Sequence, residues 1–468
     1  MATIREPARE VPVVHDADVV VCGGGPGGFP AAIAAARHGA RTLLIERYGF
    51  MGGLATAGLV APILAHTASE AHTPIVEGIL REVTERMHAL GCAPSWEEAT
   101  QEWGIRFDAE ALKIVIDEMC QEAGVTLLLH SMIVGVVKGG DTAATNPPID
   151  AVIVENKSGR QAVRGKVFID ATGDADVAHR ADARTTFGRA YDSCPESMGS
   201  FFHLAGFTEV DEAREAELRQ QVEREMEDGR FRFYGVGFLS KRCAYHGDHA
   251  AANMTRFGGD STDAKTLTEA ELSVRRNVWE LTRYLRATAP EFADAYVQQT
   301  SPQVGPRESR QIVGPYALTG DDIRAGRKFD DAIARGSWWI DIHCPRGNTY
   351  PVHLCTADCP MGADCDYWAA EHEHMPASRR DLMPPQGDWY DIPYRSLLSV
   401  SVPNLLSSGR CISATHEGMA GSRVMGTCVA IGQAAGTAAA LAVQEGAFPG
   451  QVDVQRLRAL LRQDGQLV

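Results

Sequence analysis

The chain has no excess of positive charge: 45 Lys and Arg stand against 61 Asp and Glu, a net charge of −16 with His neutral. A duplex-binding protein needs a basic face to meet phosphates, so this balance argues against nucleic acid as a partner. It leaves room for a small basic patch over an anionic ligand. Nor is there a strongly apolar run of about 20 residues, the length that a membrane span requires. The longest apolar run, Cys428–Val443, is mostly Ala and is interrupted by Gly432, Gln433, Gly436 and Thr437, so it predicts a buried helix. Met1–Asp18 is polar and charged and lacks the apolar core of a secretory signal. The 11 cysteines are odd in number and scattered, which argues against a disulfide framework and for a reducing, cytoplasmic setting. No C-x-x-C pair, internal repeat or low-complexity tail occurs.

What is present is an ordinary globular composition, 44% hydrophobic and 23% charged over 468 residues. At roughly 100–200 residues per domain, that is two to four domain equivalents. Asp18–Cys22 is a β-branched run that predicts a buried parallel strand. The turn Gly23–Gly28 follows, then an Ala-rich helix over Pro30–His38 stopped by Gly39, then a second strand over Arg41–Glu46. Phe107–Ala123 has helical spacing, Val125–His130 is a strand, and Ile133–Val137, Ala151–Glu155 and Val163–Asp170 form a β-meander. From about Thr186 the texture changes to charged helices, Asp211–Asp228 and Asp263–Ala287, among aromatic and His-bearing segments. The first texture returns near Ile392, with a strand over Asn404–Ser408 and a long Ala/Gly helix over Thr427–Gln444. These readings predict an α/β protein. A Rossmann-like nucleotide domain is built from residues 1–190 and 391–468, and a mixed α+β cap or substrate domain from 191–390.

Gly23-x-Gly25-x-x-Gly28 lies between a strand and a helix, with Glu46 at the end of the second strand, eighteen residues after Gly28. Gly23 permits the tight turn, Gly25 lets backbone approach a pyrophosphate, and Gly28 lets helix and strand pack closely. The helix N-terminus favours the anion, and the acid accepts ribose hydroxyls. A Gly-rich turn between core elements would not account for the acid. The ligand is NAD or FAD. Three further backbone-rich stretches follow: Gly49–Gly58, Asp170–Asp174, and Ser408–Arg410 with Gly421–Thr427. Loops of this kind suit a large extended dinucleotide, which favours FAD. A second fingerprint with its own strand and acid is missing, and with it a dedicated NAD(P)H domain.

These pieces resemble the FAD-dependent oxidoreductases of the glutathione-reductase/fumarate-reductase-like flavoprotein superfamily. The likeness runs through the fingerprint with Glu46, Gly52–Gly58, Phe107–Lys113, Ile169–Asp174, Pro306–Arg310, Trp338–His343, Ile392–Arg395 and Asn404–Gly436. It covers nearly the whole chain and leaves the substrate open. It implies FAD held by Gly23, Gly25, Pro26, Gly27, Gly28, Glu46 and Arg47, and by Gly53, Leu54, Ala55 and Thr56. Ala171, Gly173, Asp174, Gly409 and Arg410 join them, as do Arg423, Val424, Met425, Gly426 and Thr427. Relatives of fumarate-reductase type often tether flavin through a His just before the Gly-Gly pair. Arg47–Met51 contains none, so the resemblance implies non-covalent FAD.

Candidates for catalysis follow from residue chemistry. Arg307 and Arg310 flank Glu308 and read either as guanidinium groups near the flavin edge or an anionic substrate, or as an internal Arg–Glu–Arg ion cluster. His343, after Trp338, Trp339 and Asp341, reads as a general acid/base or as a buried structural His. His416 reads as an acid/base near the ring or as a polar packing group, with Tyr394 and Arg395 as further candidates. His66, His72 and Thr73 read as pocket lining or solvated loop, and Trp96–Phe107 as a flap. Cys344, Cys355, Cys359 and Cys365, with His343 and His353, raise a metal or iron–sulfur site, but the spacing matches neither zinc ribbons nor ferredoxins. The stretch therefore reads as a Pro/Gly-rich insertion with free thiols, and no metal is assigned.

The expected function is two-electron oxidation of a small organic metabolite through flavin N5, with O2 or NAD(P)H as possible co-substrates. Alternatives are a flavin monooxygenase, a fumarate-reductase-like double-bond reductase, and a flavin subunit of an RNA-modification or electron-transfer assembly. The expected partner is a small molecule, with no nucleic acid and no membrane, and a homodimer is the assembly considered.

Overall fold

The β-branched run at the start of the chain sits at the centre of the molecule. A computed structural model of the protein describes residues 3–68, 71–139, 146–190, 192–230, 245–247, 249–345, 365, 369 and 379–468. Strand β1 (Val13–Cys22) lies between β2 (Thr42–Ile45) and β6 (Gly159–Asp170), parallel to both. Val19, Val20, Val21 and Cys22 are fully buried, because both faces of a parallel sheet are covered. With β3 (Thr126–Leu128), β4 (Met132–Lys138) and β5 (Ile149–Asn156), the order is β3-β2-β1-β6-β5-β4.

β6 is long enough to serve two neighbours on its outer edge. Its first half pairs antiparallel with β5, completing the meander. Its last three residues, Phe168–Asp170, pair parallel with the strand Leu405–Ser407. Asn404 pins this branch point: its amide donates to the carbonyls of Ile149 (2.8 Å) and Lys166 (3.0 Å), and its oxygen accepts from the Ile149 N–H (2.9 Å). The two chain ends therefore build one sheet.

Helix Phe29–Arg37 packs against helix Met425–Glu445. A Cβ at Gly436 would lie 2.0 Å from the Ala31 carbonyl oxygen, so the small residues of the second helix are what let the two backbones approach. By length and composition Met425–Glu445 could cross a membrane, but 94% of its apolar window is buried inside the protein. It is a core helix, as its Ala/Gly composition predicts.

The middle of the chain contains a second core. Strands Phe202–Ala205, His249–Ala252 and Tyr296–Thr300 form an antiparallel sheet, packed with helices Glu212–Glu227 and Ala264–Thr288 around Phe202, Leu218, Val222, Leu281 and Phe292. Leu318, Ile323, Ile333, Ile340 and Ile342 instead join the large core shared with Met425–Glu445.

Candidate active site

The fingerprint turn forms as its spacing predicts. The Gly28 N–H donates to the Gly25 carbonyl (2.8 Å), and the helix begins at Phe29 with Pro30 in its first turn. A Cβ on Gly28 would sit 1.8 Å from the Gly23 carbonyl oxygen, so internal packing alone demands glycine there. At Gly25 the nearest protein atom to such a Cβ is 3.6 Å away. The fold itself would accept a side chain at Gly25. What the missing side chain leaves open is a cavity of about 1040 Å³ running along the C-terminal ends of the parallel strands.

Glu46 lines this cavity. Its Oε2 accepts from the Gly24 N–H (2.7 Å) and its Oε1 from the Tyr48 N–H (3.0 Å), which fixes the carboxylate. Asp170 does not line the cavity. It is fully buried, accepts from the N–H groups of Thr172 (3.1 Å) and Ala178 (2.9 Å), and thereby shapes the loop that presents Ala171, Gly173 and Asp174. Ser408 Oγ donates to the Gly27 carbonyl (2.8 Å), tying the C-terminal strand to the glycine turn.

A second cavity, of about 1770 Å³, shares Leu54, Arg410, Arg423 and Met425 with the first. Phe201, Trp103, Trp338 and Trp339 form apolar walls, and Arg256, Arg307 and His343 supply polar ones. Beneath it lies a buried charge network. Glu196 accepts from Arg423 Nε and Nη2, both at 3.0 Å, and from the His343 N–H (3.0 Å). Arg423 Nη2 also donates to the Asp341 carbonyl (2.8 Å). Glu308 Oε2 accepts from the Glu196 N–H (2.9 Å) and pairs with His416 Nδ1 (2.7 Å).

His343 is 7% exposed, with Nδ1 3.3 Å from Arg256 Nε and Nε2 3.4 Å from Asp341 Oδ2. Burial, followed by the fields of Arg307 and Arg256, holds its pKa well below the usual imidazole range against the pull of Asp341. His416 goes the other way: burial opposes its charge, but the Glu308 carboxylate outweighs burial and raises its pKa.

Among residues predicted for the cofactor, Gly23, Gly25, Pro26, Gly27, Glu46, Arg47, Gly53 and Leu54 line the first cavity. So do Ala171, Gly173, Asp174, Gly409, Arg410, Arg423 and Met425. Val424 faces the second. Gly28, Ala55, Thr56, Gly426 and Thr427 line neither and support from behind: Thr56 Oγ1 donates to the Met51 carbonyl (2.7 Å), and Gly426 lies against the Leu64 carbonyl. Of the catalytic candidates, Arg307 and His343 come together in the second cavity. Arg310 is placed off both cavities and pairs with Asp176 (3.4 Å), while Glu308 bonds to His416, so the Arg–Glu–Arg cluster is replaced by two separate pairs. His416 is 4% exposed and packs behind the cavity wall. Tyr394 and Arg395 line neither cavity, and His66 is buried against the Ala99 carbonyl (2.7 Å). Cys355, Cys359 and His353 lie outside the described residues.

Sequence reasoning missed Glu196, Asn253 and Arg256, which stand alone in their segments with no local pattern to flag them. It also missed Tyr48, Ser131 and Gln303, which reach the first cavity from three different loops.

A mostly parallel sheet whose first turn is a glycine fingerprint, with an acid at the end of the second strand, defines a dinucleotide-binding α/β protein. The profile of the family described as FAD dependent oxidoreductase matches residues 18–461, and the chain belongs to that family. Among curated proteins, the dihydrolipoyl dehydrogenase of Trypanosoma brucei brucei is 52% identical over 45 residues, 10% of this chain and 9% of that protein. The corresponding mitochondrial enzyme of Caenorhabditis elegans is 50% identical over 46 residues, again 10% and 9%. The chain thus matches under a tenth of the length of these relatives. Among solved structures, a geranylgeranyl bacteriochlorophyll reductase-like protein from Thermoplasma acidophilum aligns over 96% of this chain and 84% of its own, with 13% identity and a TM-score of 0.44. The anhydrotetracycline hydroxylase OxyS from Streptomyces rimosus aligns over 64% of this chain and 54% of its own, with 15% identity and a TM-score of 0.35.

The residues present fit FAD. The open side of Gly25 suits close approach of a diphosphate. The following helix has no side-chain cap and no acid in its first turn, so its N-terminus faces the cavity uncompensated. Arg410 Nη1 is buried with no hydrogen-bond partner among the described residues, although Nη2 lies 3.3 Å from Asp174. An anionic or carbonyl-rich ligand would satisfy it.

Proposed function

We propose that this FAD-dependent oxidoreductase carries out two-electron oxidation of a small organic anion that binds in the second cavity, with FAD held non-covalently in the first. The observation that carries the reading is the junction of the two cavities at Leu54, Arg410, Arg423 and Met425, with both aromatic and cationic side chains lining the second. When bound, FAD would supply the two-electron redox chemistry, with O2 or another acceptor as the terminal oxidant. The protein's own part is binding, dryness and proton handling. Phe201, Trp338 and Trp339 cover the apolar body of the substrate and exclude water. Arg256 and Arg307 hold its anionic group. His343, whose ring nitrogens make long contacts to Arg256 and Asp341, takes the substrate proton when the substrate displaces one of these.

Buried free thiols such as Cys22, Cys120 and Cys411 support a cytoplasmic setting.

The test is an anaerobic mix of the FAD-loaded protein with NADH, with NADPH, and with a panel of small aromatic and aliphatic carboxylates, following the flavin absorption. The reading expects bleaching by a carboxylate and none by the nicotinamides. Rapid bleaching by NAD(P)H alone would overturn it and favour the monooxygenase or reductase alternatives.

A further inference from the structure

Away from both flavin-side cavities, Cys92, Asp108 and His246 bring a thiol, a carboxylate and an imidazole together, with ligand atoms all within 4.8 Å of one another. Separate contacts hold each in place. The Asp108 N–H donates to the Cys92 carbonyl (3.0 Å), setting these two side by side. Asp108 Oδ1 accepts from the N–H groups of Glu110 (2.7 Å) and Ala111 (3.2 Å) as the cap of helix Ala109–Ala123, which leaves Oδ2 aimed outward. His246 is distant in sequence from the other two, and next to it the Tyr245 hydroxyl donates to the Ala93 carbonyl (3.3 Å). Its Nε2 lies 2.8 Å from Asp108 Oδ2. Asp108 and His246 also border a cavity of about 840 Å³, which His203 and His249 line as well, with ring centres 4.6 Å apart.

We infer that Cys92, Asp108 and His246 form a binding site for a borderline divalent cation of the zinc type. A thiolate–imidazole–carboxylate set suits zinc, whereas calcium and magnesium take oxygen ligands almost alone. On binding, the Cys92 thiol gives its proton to solvent, and the His246 ring keeps its proton on Nδ1 and coordinates through Nε2. The hydrogen bond between His246 and Asp108 is exchanged for metal bonds, and a water fills the fourth position. Because Asp108 Oδ1 stays on the helix N–H groups, the ligand is oriented by its outer partners. The cation would fasten the segment leading into strand His249–Ala252, and thus Asn253 and Arg256 of the second cavity, to the start of helix Ala109–Ala123.

The test uses the FAD-loaded full chain, stripped with a chelator and dialysed against Zn2+ or Co2+, with bound metal measured per chain. One equivalent is expected, with a thiolate-to-metal band in the Co2+ form. Cys92→Ser and His246→Gln should each weaken binding by at least about 100-fold while the flavin spectrum is kept, since neither residue lines a flavin-side cavity. Asp108→Asn preserves the helix cap and should still weaken binding. No zinc above background, a Co2+ spectrum without the thiolate band, or an equivalent of zinc retained in Cys92→Ser would each overturn the inference. The last result would place the metal on other cysteines.

Discussion

The two cavities that meet at Arg410 and Arg423 are built by different means. The first is framed by backbone turns: the glycine turns after β1 and β6, the Gly53 stretch, and the Gly409 turn, with side chains such as Tyr48, Gln303 and Arg410 between them. Among its polar side chains, Glu46 and Asp174 are fixed by hydrogen bonds to nearby turns and loops. The second is walled by side chains from separated segments, and its Arg423 is balanced by Glu196, whose N–H donates to Glu308. Backbone walls fit a ligand that is the same throughout a family. Side-chain walls can be exchanged without disturbing the sheet, which is what a variable substrate requires.

The contrast can be broken most sharply at its glycines. Gly28→Ala drives a Cβ into a backbone carbonyl, and we expect destabilisation of more than about 4 kcal/mol with FAD binding lost, read by denaturant unfolding and flavin titration. Gly25→Ala meets only ordinary contacts. The apoprotein Tm should move by less than about 2 °C while FAD affinity falls about 100-fold. If both properties fell together at Gly25, the turn would be a packing device rather than a ligand cradle.

On the other side of the junction, Glu196→Ala leaves Arg423 buried without its bidentate partner, and a loss of about 3–5 kcal/mol is expected in the unfolding free energy. Arg307→Met should leave FAD binding unchanged and raise KM for the anionic substrate by about 10–100-fold, with a smaller change in kcat. The smallest effect concerns His416. Its folded pKa is raised above an unfolded value near 6.5, so its pairing with Glu308 stabilises fully below about pH 6.5. That contribution disappears as pH rises through the raised folded value. His416→Gln should therefore flatten the fall in Tm as pH rises above about 6.5.

The first cavity was legible in the sequence because its makers act locally. Gly23–Gly28 and Glu46 have a spacing that one β-α-β unit enforces, and the β-branched strand marks the sheet. The meander and the return of the C-terminal strand were legible for the same reason. The second cavity was legible only where chemistry clusters in sequence, at Arg307 and at Trp338–His343. Glu196 and Arg256 are set by tertiary packing between segments more than fifty residues apart. Arg310 shows the opposite error. It shares a short motif with Arg307, yet lies on a strand paired with Thr185–Phe187 that turns it toward Asp176 and away from the cavity.

The most direct test is a crystal structure of the FAD-loaded protein. The account predicts the diphosphate over Gly25 and the N-terminus of helix Phe29–Arg37, the adenosine ribose at Glu46, and the flavin ring at the junction of Leu54, Arg410, Arg423 and Met425, facing Trp338 and His343. A ring placed at the Glu46 end, or one sealed from the second cavity, would contradict it.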